Sequence, residues 1–124
     1  MPARRTLASV LTHVETAAVA ELIDRVRRDI PAALVQASLF GSRARGDARR
    51  DSDIDVLLVF QRLPPDREPH ASRAEAIAEQ VAARTGIPVT VWSVSLPDLE
   101  RGWRTPMLVD ALADSVVLLS LIHI

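Results

Sequence analysis

Residues 34–60 of the chain read LVQASLFGSRARGDARRDSDIDVLLVF, and this stretch decides the fold. Its two short apolar segments, Leu34–Phe40 and Asp53–Phe60, are typical of β-strands. The second half of Asp53–Phe60 is apolar on both faces, which predicts a central strand covered on both sides. Residues 41–52 form a polar, arginine-rich connector between the two strands.

The connector and the start of the second strand carry residues suited to binding a phosphate and a metal ion. Gly41 lets a ligand approach the backbone closely, and Ser42 adds a hydroxyl donor where a strand runs into a segment able to open a helix. Asp53 and Asp55 are one residue apart, so strand alternation places both on one face, with Cβ atoms roughly 6–7 Å apart. Two like charges this close repel each other unless a cation lies between them, and such oxygen ligands suit Mg²⁺.

A single phosphate–metal site built from Ser42 and Asp53 also constrains the topology. The end of the first strand and the start of the second then lie at the same edge of the sheet. The two strands are therefore expected to be antiparallel, in a mixed sheet.

The flanking sequence predicts helices around this sheet. Thr12-x-x-Glu15 has the form of a capping box, and apolar residues at helical spacing follow it as far as Pro31. Downstream we expect a Pro-rich loop over Gln61–His70, a helix opened by a second capping box at Ser72-x-x-Glu75 and ended by Gly86, a strand over Ile87–Ser93, and short helices over Pro97–Arg101 and Thr105–Ala113. This order of elements indicates an α/β fold, a small mixed β-sheet flanked by helices.

Length and composition limit the possible functions. The 124 residues correspond to a single domain, 1–124, and the absence of Cys excludes disulfides and thiolate chemistry. A net charge of −1 argues against a polycationic nucleic-acid binder, so direct nucleic-acid binding is not expected. No apolar run reaches the length of a membrane span and no clear secretory signal is present, which together predict a cytoplasmic protein without membrane contact.

The last six residues, 119–124, read LSLIHI, a bare apolar tail. One hypothesis is that they translate an adaptor used in sequencing libraries and are not native. The other is a natural terminal strand that continues residues 116–118. Sequencing of the genomic locus distinguishes the two, and His123 is given no functional weight.

The connector and the acid pair resemble the signature of the minimal nucleotidyltransferases, a family of the DNA polymerase β-like nucleotidyltransferase superfamily. That signature is Gly-Ser, then Arg-Gly, then Ser-Asp-x-Asp, and it is present here as Gly41-Ser42, Arg45-Gly46 and Ser52-Asp53-Ile54-Asp55. The resemblance implies the nucleotidyltransferase fold over most of the chain.

The resemblance also implies residue roles and a reaction. Gly41 and Ser42 would hold the nucleotide phosphates, and Arg45 would neutralise phosphate charge or fix the turn. Asp53 and Asp55 would be catalytic and bind two Mg²⁺ ions. The implied reaction transfers a nucleoside monophosphate, AMP by expectation, from a nucleoside triphosphate such as ATP to a hydroxyl. Small members of the family often nucleotidylate a HEPN-type toxin as its antitoxin, which makes such a toxin the implied partner.

One feature of the family pattern is missing. The family usually has a third carboxylate on the strand after the acid pair, where this chain has Thr90 or Trp92. Three other acids are possible replacements, namely Glu68, Asp98 and Glu100, and spacing favours none of them. The alternative function is therefore a binding module that neutralises or regulates a partner without transfer. Trp92 itself has three possible roles: stacking on a base, contacting a partner, or packing in the core.

Overall fold

The computed structural model describes residues 11–40, 53–100 and 116–120. The described elements are α1 (His13–Asp29), β1 (Leu34–Phe40), β2 (Ile54–Phe60), α2 (Glu68–Thr85), β3 (Val89–Ser95), α3 (Leu96–Glu100) and β4 (Val116–Ser120). The strands form one sheet in the order β3-β2-β1-β4, in which β1 is antiparallel to β2 and β4, while β2 and β3 are parallel. The predicted mixed sheet and its antiparallel first pair are confirmed.

Helix α1 begins and ends at the predicted signals. The Thr12 hydroxyl accepts a hydrogen bond from the Glu15 backbone N–H (3.2 Å), and the Glu15 carboxylate accepts one from the Thr12 N–H (2.9 Å). This reciprocal capping box satisfies two N–H groups that a helix leaves without partners. The helix ends at Asp29, because Pro31 has no N–H to continue it and disfavours helical backbone in the residue before it.

Helix α2 begins earlier than predicted. The loop over Gln61–His70 and the capping box at Ser72 are both wrong at this point, since the helix starts at Glu68 and contains Pro69 in its first turn. Proline is tolerated there because first-turn N–H groups have no partner within the helix. Ser72 lies inside the helix and donates its hydroxyl to the Glu68 carboxylate, 2.7 Å away.

The end of α2 and the start of β3 follow local backbone chemistry. Gly86 ends the helix with φ of +76°, as predicted for a left-handed terminal residue, and its N–H donates to the Ala82 carbonyl (2.8 Å). Strand β3 starts at Val89, two residues later than predicted, because Pro88 has no N–H to donate to the sheet. Its carbonyl does take part, accepting a bond of 3.1 Å from the Ile54 N–H.

The remaining boundaries shift by one or two residues or lie outside the described ranges. Strand β2 starts at Ile54, β3 ends at Ser95 where Ser93 was predicted, and α3 covers Leu96–Glu100 where Pro97–Arg101 was predicted. The helix predicted over Thr105–Ala113 falls in residues that the structure does not describe. Strand β4 includes Leu119, which pairs with Ala37 of β1. Among the described residues, no helix combines the length and apolar character needed to cross a membrane.

Strand alternation divides the sheet into two faces. The helical face carries Ile54, Val56 and Leu58, all completely buried beneath α1 and α2 in the main core. We call the opposite face, which carries Asp55, Thr90 and Trp92, the site face. Beside the acid pair and farther along the strands, it holds a second, smaller apolar cluster, made by Phe40, Leu57, Val59 and Val94 with Leu96 and Leu99 of α3. The prediction that β2 is covered on both faces is confirmed.

Candidate functional site

The two aspartates lie at the edge of the sheet where β1 ends. Asp53 immediately precedes β2 and is exposed, and Asp55 is the second residue of that strand and is half-buried. Asp55 pairs with Phe40, the last residue of β1. Gly41–Ser42 follows Phe40 in the sequence, so the antiparallel topology brings the strand end that precedes the signature to the same edge as the acid pair. The predicted ligands Gly41, Ser42 and Arg45 themselves lie outside the described residues.

Thr90 is the neighbour of this acid pair on β3. It pairs with Asp55 in the parallel register, so the two side chains share the site face. Its hydroxyl lies 3.4 Å from Oδ2 of Asp53, a long hydrogen bond in which the hydroxyl donates. The strand next to the acid pair therefore offers a hydroxyl where the resemblance implies a carboxylate.

An aromatic pair lies next to the acid pair. Trp92 follows Thr90 on the site face and is 41% exposed, whereas Phe40 is buried. Their ring centroids are 6.3 Å apart at an interplanar angle of 62°, an edge-to-face arrangement. Because the two rings come from β3 and β1, they meet across β2. Sequence reasoning had singled out Trp92 but missed Phe40, although alternation along β1 puts it on this face.

Asp98 does not replace the missing carboxylate. Its Oδ2 accepts hydrogen bonds from Nη1 of Arg67 (2.5 Å) and from the Ser95 N–H (3.3 Å), while its own N–H donates to the Ser95 hydroxyl (3.2 Å). The hydrogen bond from Arg67 lowers the pKa of the Asp98 carboxyl, and its partial burial opposes that shift. Ser95 pairs with Phe60 at the far ends of β3 and β2. Strand rise puts that end roughly 20 Å from Asp53.

Glu68 and Glu100 lie at the same distant end of the sheet. Glu68 follows Arg67, the partner of Asp98, and Glu100 ends the short helix that Ser95 precedes. Within residues 11–40, 53–100 and 116–120, no group of three His, Cys, Asp or Glu side chains is placed to hold a metal ion. None of the acids proposed as substitutes therefore completes a triad with Asp53 and Asp55.

The donor set at the acid pair nevertheless fits Mg²⁺. The ion binds carboxylate oxygens, and it commonly takes one or two of them together with water and substrate phosphates. Asp53 and Asp55 supply two carboxylates on one face, and the exposure of Asp53 leaves room for a ligand. The pair is thus suited to a cation that arrives with a phosphorylated substrate.

Sequence comparison identifies the family of the chain. The nucleotidyltransferase domain family matches residues 19–119, a range that contains both the signature and the acid pair. The chain belongs to this family. The predicted fold and the class of enzyme are thereby confirmed. No curated protein sequence matches the chain.

Solved structures share the nucleotidyltransferase fold. A candidate nucleotidyltransferase from Sulfolobus solfataricus aligns with 23% identity over 90% of this chain and 83% of its own, at a TM-score of 0.55. A toxin–antitoxin complex with AMP-PNP aligns with 21% identity over 80% of this chain and 71% of its own, at a TM-score of 0.53. The complex of tri-AMPylated HEPN toxin with MNT antitoxin from Shewanella oneidensis aligns with 18% identity over 84% of this chain and 71% of its own, at a TM-score of 0.51. At these identities the likeness is one of fold.

Proposed function

We propose that this nucleotidyltransferase domain transfers a nucleoside monophosphate, AMP from ATP, to a hydroxyl group of a partner protein. The observation that carries the proposal is the shared edge of the sheet. There Asp53 and Asp55 lie on one face, beside the strand end that leads into Gly41–Ser42. Gly41, Ser42 and Arg45 are the proposed phosphate ligands, and Asp53 and Asp55 are the proposed metal ligands.

The reaction can be written in terms of the groups that this chain supplies. Asp53 and Asp55 would hold Mg²⁺ beside the triphosphate, and the ion would supply neutralisation of phosphate charge. The acceptor oxygen forms a bond to the α-phosphorus while the bond from that phosphorus to the bridging oxygen breaks. Pyrophosphate leaves, and the hydroxyl proton passes to solvent. The resemblance implies two ions at this site, and Asp53 and Asp55 are the ligands that we propose for them.

The proposed partner is a HEPN-type toxin, which would make this chain the antitoxin of the pair. Support comes from the structures of similar fold, one a toxin–antitoxin complex with AMP-PNP and another an AMPylated HEPN toxin bound to its MNT antitoxin. A protein hydroxyl is the acceptor that such a pairing provides.

One observation favours a second candidate, a binding module that neutralises its partner by contact alone. Thr90 occupies the position beside Asp55 where a third carboxylate is expected, and a neutral hydroxyl neither accepts the acceptor's proton at pH 7 nor anchors a second ion as an acid does. The two candidates share the nucleotide site and differ in turnover.

Labelled ATP separates the two candidates. The chain is incubated with Mg²⁺, the product of the neighbouring gene, and ATP labelled at either the α- or the γ-phosphate. We expect α-label alone on the partner, none with Asp53→Ala, and full label with Asp24→Ala, which removes an exposed acid of α1 beyond the opposite face of the sheet. Undiminished labelling by Asp53→Ala, or transfer of γ-label, contradicts the proposal. Tight partner binding without any transfer, unaffected by Asp53→Ala, establishes the binding module.

A further inference from the structure

Trp92 is more exposed than the other apolar side chains whose burial is described in the sheet. Among the described residues the exposed large apolar side chains are Val14 and Trp92, and only Trp92 belongs to the sheet. A half-exposed indole forgoes part of the stabilisation that complete burial gives an aromatic ring. Its exposed part is available for contact with a ligand.

Register places this ring next to the acid pair. Trp92 pairs with Leu57, two residues along β2 from Asp55, and shares the site face with it. One strand spacing sideways and two residues along correspond to roughly 8 Å between the Cα atoms of Asp55 and Trp92. That separation matches the layout of a nucleotide, in which a ribose separates the phosphates from the base.

Phe40 packs against the indole of Trp92 without covering it completely. Its ring is 9% exposed and meets Trp92 at 62°, so Phe40 covers at most one face of the indole. The contact across β2 restricts how Trp92 can turn. The result is a supported, partly exposed aromatic ring on the same face of the sheet as Asp55 and Thr90.

We propose that Trp92 is the base-stacking residue of the nucleotide site, with the base of the triphosphate against the indole and Phe40 as the residue that positions it. This inference rests on the proposed function, because it needs phosphates bound at Asp53 and Asp55. It assigns a contact to the base, which is the part of the substrate that the acid pair does not contact. Stacking on an aromatic ring tolerates any base, so this contact supplies affinity more than choice of base.

The test compares ATP with inorganic tripolyphosphate, which has the phosphates without the nucleoside. Calorimetric titrations with Mg²⁺ use the full chain, Trp92→Leu, Trp92→Phe and the control Trp103→Phe. We expect Trp92→Leu to weaken ATP binding about 5- to 100-fold and to leave tripolyphosphate binding unchanged, as the loss of one stacked base predicts. Trp92→Phe retains most of the affinity, and Trp103→Phe retains all of it.

Fluorescence gives a second measurement that needs no substitution at Trp92. Trp92 and Trp103 are the two tryptophans of the chain, so Trp103→Phe leaves Trp92 as the single reporter. ATP should quench its emission and tripolyphosphate should not. The stacking role is overturned if Trp92→Leu binds ATP as tightly as the full chain, or if it loses affinity for ATP and tripolyphosphate equally. Either result leaves the proposed function standing. A full chain that binds neither ligand overturns both.

Discussion

The ion pair between Arg67 and Asp98 provides the sharpest prediction about stability. Asp98 is buried, and its carboxylate holds together the start of α2, the end of β3 and α3 through Arg67 and the Ser95 backbone. Asp98→Ala removes a charge-assisted hydrogen bond worth about 1.5–3 kcal/mol when well shielded. Because Arg67 is partly exposed, solvent screens the pair, and we take the lower end of this range. Loss of the hydrogen bond that the Ser95 N–H donates to the carboxylate adds about 1 kcal/mol.

The sum is about 2–3 kcal/mol, which corresponds to a fall of about 10 °C in Tm for a domain of this size. Urea denaturation followed by circular dichroism at pH 7 measures the difference. The matched control is Glu100→Ala, which removes an exposed acid of the same helix and should change stability by less than about 0.5 kcal/mol. A loss below 1 kcal/mol for Asp98→Ala at pH 7 would refute this account of the contact.

The pH dependence of stability tests the electrostatic part of the contact between Arg67 and Asp98. Arg67 lowers the pKa of Asp98 in the folded protein. The stabilisation is therefore complete above the pKa of this carboxyl in the unfolded chain, about 3.9, and it is lost as the pH falls through the lower pKa of the folded protein. The gap between the full chain and Asp98→Asn should thus be full at pH 7 and narrow below about pH 4. A gap that is constant from pH 7 to pH 3 would show that charge does not contribute.

Three further substitutions test the core, the end of α2 and the acid pair. Leu58→Ala removes a side chain with no exposed surface and should cost about 2.7–5 kcal/mol in urea denaturation; a cost below 1.5 kcal/mol contradicts its place in the core. Gly86→Ala meets no atom within 4 Å, so only the strain of a positive φ remains, about 1–2 kcal/mol in the same assay; a neutral result argues against that backbone geometry. Thr90→Asp places a third carboxylate beside Asp53 and should tighten Mn²⁺ binding at least about tenfold by calorimetry. The control Thr90→Val should not tighten it. Equal Mn²⁺ affinities of Thr90→Asp and the unchanged chain would show that position 90 is not next to the metal site.

The sequence predicts most of this fold because local signals coincide with it. The Thr12–Glu15 capping box and the terminal Gly86 each specify a helix end through hydrogen bonds within a few residues. Alternation in Asp53–Phe60 predicts which residues share a face. Requiring Ser42 and Asp53 at one edge predicts the antiparallel pairing of β1 and β2, a long-range feature that no local propensity contains.

The misplaced features depend on contacts or backbone rules that the pattern does not show. Helix α2 takes Pro69 into its first turn, where proline is compatible with either loop or helix. The Arg67–Asp98 pair joins residues far apart in sequence, so no spacing rule points to it, and it removes Asp98 from the possible metal ligands. The contact of Phe40 with Trp92 depends likewise on the strand order, because the two rings come from strands on opposite sides of β2.

The central claim is that Asp53 and Asp55 bind a nucleoside triphosphate through a divalent cation. Calorimetric titration of ATP with Mg²⁺, repeated with the metal chelated, tests it directly in the full chain, in Asp53→Asn/Asp55→Asn and in the control Asp24→Asn. The account predicts binding that requires Mg²⁺, is lost in the double variant and is unchanged in the control. ATP binding of equal strength without the metal, or equal binding by the double variant, would contradict it.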